Sequence, residues 1–124
     1  MLYFHGNAGN VGARIPHIDI LVKRLNTNVL ILAYRGYGNS EGTPNEDGLR
    51  LDAEATLEYA LNDDEIDSSR VYVYGQSLGG AVAAQLVSNN SKKVKGLILE
   101  NTFVSIGEMV DHLMPFVAKF KFLI

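Results

Sequence analysis

Apolar positions along the chain change period several times, and each change predicts a change of element. Residues 1–5 form an apolar run. Ile15, Ile18, Leu21, Val22 and Leu25 then recur at helical spacing and make one apolar face. Asn26 and Asn28 end that helix. Residues 29–34 are continuously apolar, as expected of a strand buried on both faces. Thr43-Pro44-Asn45-Glu46 opens a second helix, with Thr43 read as N-cap, Pro44 as first helical residue and Glu46 closing a capping box. Its expected buried face is Leu49, Ala53, Leu57, Ala60 and Leu61. Residues 71–74 are β-branched and aromatic and predict a strand, residues 78–87 are rich in Ala and Leu and predict a helix, and residues 95–99 predict a fourth strand. Ser105 to Glu108 is a further capping box, opening a short helix that Pro115 ends. Residues 116–124 are strongly apolar with no evident place to pack.

Strands that alternate with helices pair in parallel through right-handed crossovers. The expected fold class is therefore α/β, a three-layer α/β/α sandwich around four parallel strands. The 124 residues suffice for one domain and not two. A formal charge of −3 gives no basic footprint, so nucleic acid is not an expected partner. The chain has no cysteine, which excludes disulfides and thiolate catalysis. No apolar run reaches the roughly 18 residues of a membrane span. Met1 leads straight into Leu2-Tyr3-Phe4 without a basic segment, so no signal peptide is expected. No motif calls for a metal or a cofactor.

The candidate chemistry sits in the turns. Gly75-Gln76-Ser77-Leu78-Gly79 is a G-x-S-x-G pattern between a strand and a helix. A serine on so sharp a bend projects its hydroxyl above the sheet edge, and the flanking glycines leave room for the bend. Ser77 is the expected nucleophile. His5-Gly6-Asn7-Ala8-Gly9-Asn10 follows the first strand, where a hydrolase places its oxyanion loop. An acyl-transfer intermediate puts negative charge on the former carbonyl oxygen, and two backbone N–H groups can hold it. The expected donors are Asn7 and Leu78, the latter at the positive end of its helix. His5 reads as a structural histidine bonding the loop backbone, and His17 as a solvated residue at a helix start. His112 and Asp111 are helix neighbours pointing in different directions, so they are not a dyad. Residues 35–42 form a second glycine-rich loop, expected to fold back near the oxyanion turn with Arg35 as its anchor.

These motifs, with Tyr34-Arg35-Gly36-Tyr37-Gly38-Asn39-Ser40-Glu41-Gly42-Thr43-Pro44 and Leu99-Glu100-Asn101-Thr102-Phe103, resemble the α/β-hydrolase superfamily. Within it they look like the bud-emergence (Bem) type, also called α/β-hydrolase domain-containing protein 13. Depalmitoylating hydrolases share a similar loop and elbow. The resemblance implies that the chain supplies strands three to six of an eight-stranded fold, in spatial order 4-3-5-6. It implies a serine hydrolase acting on ester or thioester bonds of small-molecule or acyl-chain substrates, and membrane association of the full-length relatives. It places the catalytic aspartate and histidine, and the family's N-terminal anchor, outside residues 1–124, so the chain reads as a single partial hydrolase domain, inactive as it stands. Some relatives take the triad acid from the place of Glu100. Two other readings compete. One is a catalytically dead interaction domain. The other is a dinucleotide-binding domain in which Arg35 meets a 2′-phosphate, although Gly6, Gly9 and Gly12 have the wrong spacing for it.

Overall fold

The computed structural model describes residues 1–102. The expected capping box at Ser105, the helix end at Pro115, His112 and the apolar tail lie outside the described residues. Strand β1 is Leu2–Phe4; a 3-10 turn at Val11–Arg14 leads into helix α1, Ile15–Leu25; strand β2 is Leu30–Ile31; helix α2 is Glu46–Asn62. A second 3-10 turn, Ser68–Arg70, precedes strand β3, Tyr72–Gln76; helix α3 is Leu78–Asn89 and strand β4 is Gly96–Glu100. The four strands are parallel, in the order β2-β1-β3-β4. That is the 4-3-5-6 arrangement expected, with α helices on both faces of the sheet.

Strand alternation divides the sheet into two unlike faces. Leu2, Phe4 and Val73 point to one side and are buried with Leu49, Ala53, Leu57 and Ala60 of α2 and Val82, Ala83 and Leu86 of α3. The face expected for α2 is thus correct, with Leu61 only partly buried. Tyr3 and Tyr74 point to the other side, their ring centroids 4.7 Å apart, and the His17 ring of α1 stands edge-on to both.

Four local expectations are corrected. Helix α1 has no fully buried residue, and Ile15 is 60% exposed and Leu25 53%. Its apolar stripe is wider than its contact with the sheet, which runs through His17. The apolar run at 29–34 yields a ladder of only two residues, and they are half-buried, because β2 lies at the edge and pairs with β1 alone. The fourth strand begins and ends one residue later than expected, and as the other edge it leaves Ile98 and Leu99 more than two-fifths exposed. The N-cap of α2 is Asn45, not Thr43: the Asn45 Oδ1 accepts from the Gly48 N–H at 2.8 Å, one turn into the helix, and Pro44 stands outside it.

Where α3 starts, sheet and helix meet backbone to backbone. A Cβ on Gly79 would lie 2.0 Å from the Phe4 carbonyl oxygen, and one on Gly75 would lie 2.4 Å from the Gly79 oxygen. No flexible atom is available to yield. Gly79→Ala is therefore expected to destabilise the fold by about 3 kcal/mol or more, the upper range for overpacking. Leu57→Ala, which empties a fully buried core position, is expected to cost about 2–5 kcal/mol. Urea unfolding followed by circular dichroism checks both. A change below about 1 kcal/mol in Gly79→Ala contradicts the close approach.

Candidate active site

Strand β3 ends at Gln76 and α3 begins at Leu78, so Ser77 alone makes the turn. It does so at φ 54°, ψ −119°, a conformation that costs an ordinary residue on the order of 1–3 kcal/mol. The surroundings hold it there. The Ser77 N–H donates to the Glu100 carbonyl at 3.0 Å, and the Ser77 carbonyl accepts from the Gly80 N–H and the Thr102 hydroxyl, each at 2.9 Å. The Ser77 hydroxyl does not cap the helix it precedes. Its backbone is fully engaged while its Oγ is left for other use.

The loop after β1 is drawn against this turn. Phe4 is paired with Gly75 across the sheet, so the residues that follow each strand emerge side by side. A Cβ on Gly6 would stand 3.3 Å from Ser77 Cβ and 3.4 Å from the Gln76 carbonyl oxygen. Asn7 comes next, and its side-chain Oδ1 accepts from the Tyr37 hydroxyl at 2.5 Å. Leu78, buried, is the first residue of α3. N–H groups of a helix's first turn have no acceptor within the helix, and the helix dipole makes that end positive. The structure thus brings Ser77, Leu78 and the Gly6-Asn7 turn to one place at the carboxyl ends of β1 and β3.

The second glycine-rich loop supports the first. The Arg35 guanidinium grips the Asp52 carboxylate through Nε and Nη2, the shortest contact 2.7 Å, and the Arg35 backbone N–H donates to the same carboxylate at 2.9 Å. Burial raises the Asp52 carboxyl, but these bonds and the guanidinium charge outweigh it and hold the group below the usual carboxylate range. Arg35 is an anchor, as expected, and is committed to Asp52 rather than held out for a phosphate. The Tyr34 hydroxyl donates to the His5 carbonyl at 3.2 Å. A cavity of about 550 Å³ lies between the two loops, lined by His5, Asn10, Val11, Tyr37, Asn39 and Ser40 among others; Ser77 does not line it.

Both described histidines have other duties. His5 is fully buried, its ring tilted against Tyr34 and edge-on to Tyr37, and its Nδ1 donates to the Gly6 carbonyl at 2.8 Å. Burial pushes its pKa below the ordinary imidazole value. His17 is not a solvated residue: its Nδ1 lies 3.0 Å from the Tyr3 hydroxyl. Its place at the third position of α1 turns it inward onto the two tyrosines. Glu100 accepts from the Tyr74 hydroxyl and from Gln76 Nε2, the latter at 2.9 Å, and these bonds lower its carboxyl pKa. Among the described residues no histidine hydrogen-bonds it. Sequence reasoning missed Tyr37, Gln76 and Arg14, whose partners stand 30, 24 and 62 positions away and leave no trace in local spacing. Among the described residues no cluster of ligating side chains could hold a metal, and no helix is long and apolar enough to cross a membrane.

Comparison with known proteins bears on this geometry. The family model of the alpha/beta hydrolase fold matches residues 1–121. Over 94% of its length the chain is 47% identical to protein bem46 of Schizosaccharomyces pombe, and over 97% it is 48% identical to the alpha/beta hydrolase domain-containing protein WAV2 of Arabidopsis thaliana. It spans 39% of the length of each. An alpha-beta hydrolase from Vibrio vulnificus superposes with a TM-score of 0.80 at 29% identity, covering 96% of this chain and 46% of that one. The chain belongs to the α/β hydrolase fold family.

The His5 environment predicts a pH dependence. With its folded pKa lowered by burial, the unfolded chain takes up this proton first as the solution is acidified. The stability tied to neutral His5 is complete above the unfolded value of about 6.5 and is lost as pH falls from there toward the folded pKa. The urea midpoint is expected to fall between about pH 7 and pH 5, with a shallower fall in His5→Gln. Equal slopes in the two proteins contradict a buried neutral His5.

Proposed function

We propose that this chain carries the nucleophile and the oxyanion hole of a serine hydrolase acting on carboxylic ester or thioester bonds, acyl-lipid and acyl-protein substrates among them. The supporting observation is the Ser77 turn: a strained serine, fixed through its backbone and not through its hydroxyl, with the Gly6-Asn7 turn pressed against it. Ser77 Oγ adds to the acyl carbonyl carbon, and the carbonyl electron pair moves onto oxygen. The N–H groups of Asn7 and Leu78 donate to that oxygen; a single such donor is worth about 3–4 kcal/mol in the transition state. Collapse of the adduct expels the alcohol or thiol, which leaves with a proton. Water then repeats the sequence on the acyl-serine and releases the acid.

The Ser77 proton needs a base. Among the described residues no histidine nitrogen hydrogen-bonds Ser77: His5 Nε2 is buried without a partner, and His17 Nδ1 meets the Tyr3 hydroxyl. We place the base outside residues 1–124, where the family resemblance puts the catalytic histidine. Without it, a serine keeps only the modest catalysis of binding and the oxyanion hole.

The test grafts this chain in place of the matching segment of the fission-yeast relative and assays p-nitrophenyl esters of short acyl chains. Ser77-dependent hydrolysis is expected, falling by at least about a thousandfold in Ser77→Ala, and a fluorophosphonate is expected to label Ser77 alone. The 124-residue chain by itself is expected to show no turnover above its own Ser77→Ala variant. A graft that neither hydrolyses nor labels overturns the hydrolase reading. Ser77-dependent turnover by the isolated chain overturns the external base.

A further inference from the structure

We propose that Arg14 is the positioning residue of the oxyanion loop, and that Gln76 and Glu100 set its place. This rests on the hydrolase reading of Ser77 and extends it. Arg14 closes the 3-10 turn that follows the loop, so its side chain returns over the segment the backbone has just left. Its Nη2 donates to the Ala8 carbonyl. Its Nη1 reaches Gln76 Oε1 at 3.4 Å, a long contact. The Gln76 amide nitrogen donates to Glu100 Oε1 at 2.9 Å, and the Tyr74 hydroxyl holds the other Glu100 oxygen. Gln76 and Glu100 are directly paired across β3 and β4, so the strand register itself places amide against carboxylate.

The order of groups is a cation, an amide and an anion. The Gln76 amide can accept from the guanidinium and donate to the carboxylate at once, and it is long enough to reach both. Glutamate at position 76 would set two carboxylates side by side, and leucine would break both bonds. The residue before the nucleophile is thereby given a physical requirement that the strand-to-helix turn alone does not impose.

What the relay holds is a segment that needs holding. The Gly6-Asn7 peptide carries the proposed donor, and Gly6 is free of the steric limits a side chain would bring. The site is tight: a Cβ on Gly6 would stand 3.3 Å from Ser77 Cβ and 3.4 Å from the Gln76 carbonyl oxygen, with Arg14 Nη2 at 3.9 Å. Two grips flank that peptide. Tyr37 holds the Asn7 side chain from one loop, and Arg14 holds the Ala8 carbonyl from the other side. Arg14 Nε is buried and has no partner among the described residues.

The experiment measures two quantities. One is the second-order rate of Ser77 phosphonylation by a fluorophosphonate in the grafted protein. The other is amide hydrogen exchange of residues 6–10 in the same protein. Arg14→Ala and Gln76→Leu are each expected to slow labelling by about ten- to a hundredfold, the scale of a misplacement near 1 Å. Exchange should rise at residues 6–10 while that of α2 is unchanged. If Arg14→Ala does not fold, Arg14→Lys replaces it, since one ammonium cannot reproduce the two divergent Nη contacts, and the same direction is expected. Labelling at the wild-type rate with unchanged loop exchange overturns the proposal. Slower labelling with equally raised exchange in α2 also overturns it, because the effect is then general loosening. If wild-type protein takes no label, the hydrolase reading fails, and loop exchange alone decides whether Arg14 holds the loop.

Discussion

The rest of the structure depends on the contact of bare backbone where α3 starts. Gly79 sits on the carbonyls of Phe4 and His5, and Gly75 sits under Gly79 and Gly80, with Ala83 beside them. This lets β3 turn into α3 within one residue, and that residue is Ser77. The same contact draws the end of β1 against the turn, so the loop that follows β1 has nowhere to go but over the serine. Position and strain of Ser77 are therefore consequences of packing, and the bonds that its N–H donates to Glu100 and its carbonyl accepts from Gly80 and Thr102 lock what the packing imposes.

The two faces of the sheet divide the work. The side toward α2 and α3 is aliphatic and tightly buried, and it supplies most of the driving force for folding. The side toward α1 carries Tyr3, Tyr74, Gln76 and Glu100, bonded to one another or to His17 and Arg14. Polar groups in such a position must be satisfied and so are directional. Directional bonds suit the face that ends in the oxyanion loop, where placement matters more than burial. The loosely packed α1 fits this division: it has no fully buried residue, and its His17 makes an aromatic and polar contact with the sheet.

Much of this was legible in the sequence. The alternation of strand and helix periods, the apolar face of α2 and the G-x-S-x-G turn are local patterns, and local patterns survive in one dimension. The order of the sheet was reached through the family resemblance. What escaped depends on neighbours distant in the chain. Residues 29–34 read as a strand buried on both faces, and their short, half-buried ladder appears only once the sheet order sets β2 at an edge. Thr43 and Asn45 are both good caps, and only the path of the preceding loop selects Asn45. His17 reads as exposed until Tyr3 and Tyr74 are placed beneath it. Arg14, Gln76 and Glu100 carry no shared motif, and the register of β3 with β4 is what joins two of them.

The claim on which the account turns is that the amides of Asn7 and Leu78 converge on one oxygen beside Ser77. A crystal structure of the grafted protein phosphonylated at Ser77 tests it directly. The account predicts one phosphonyl oxygen within about 2.7–3.1 Å of both backbone nitrogens, with the Ala8 carbonyl still held by Arg14. A phosphonyl oxygen turned to solvent, or bound by Leu78 alone with the Asn7 amide facing away, contradicts it.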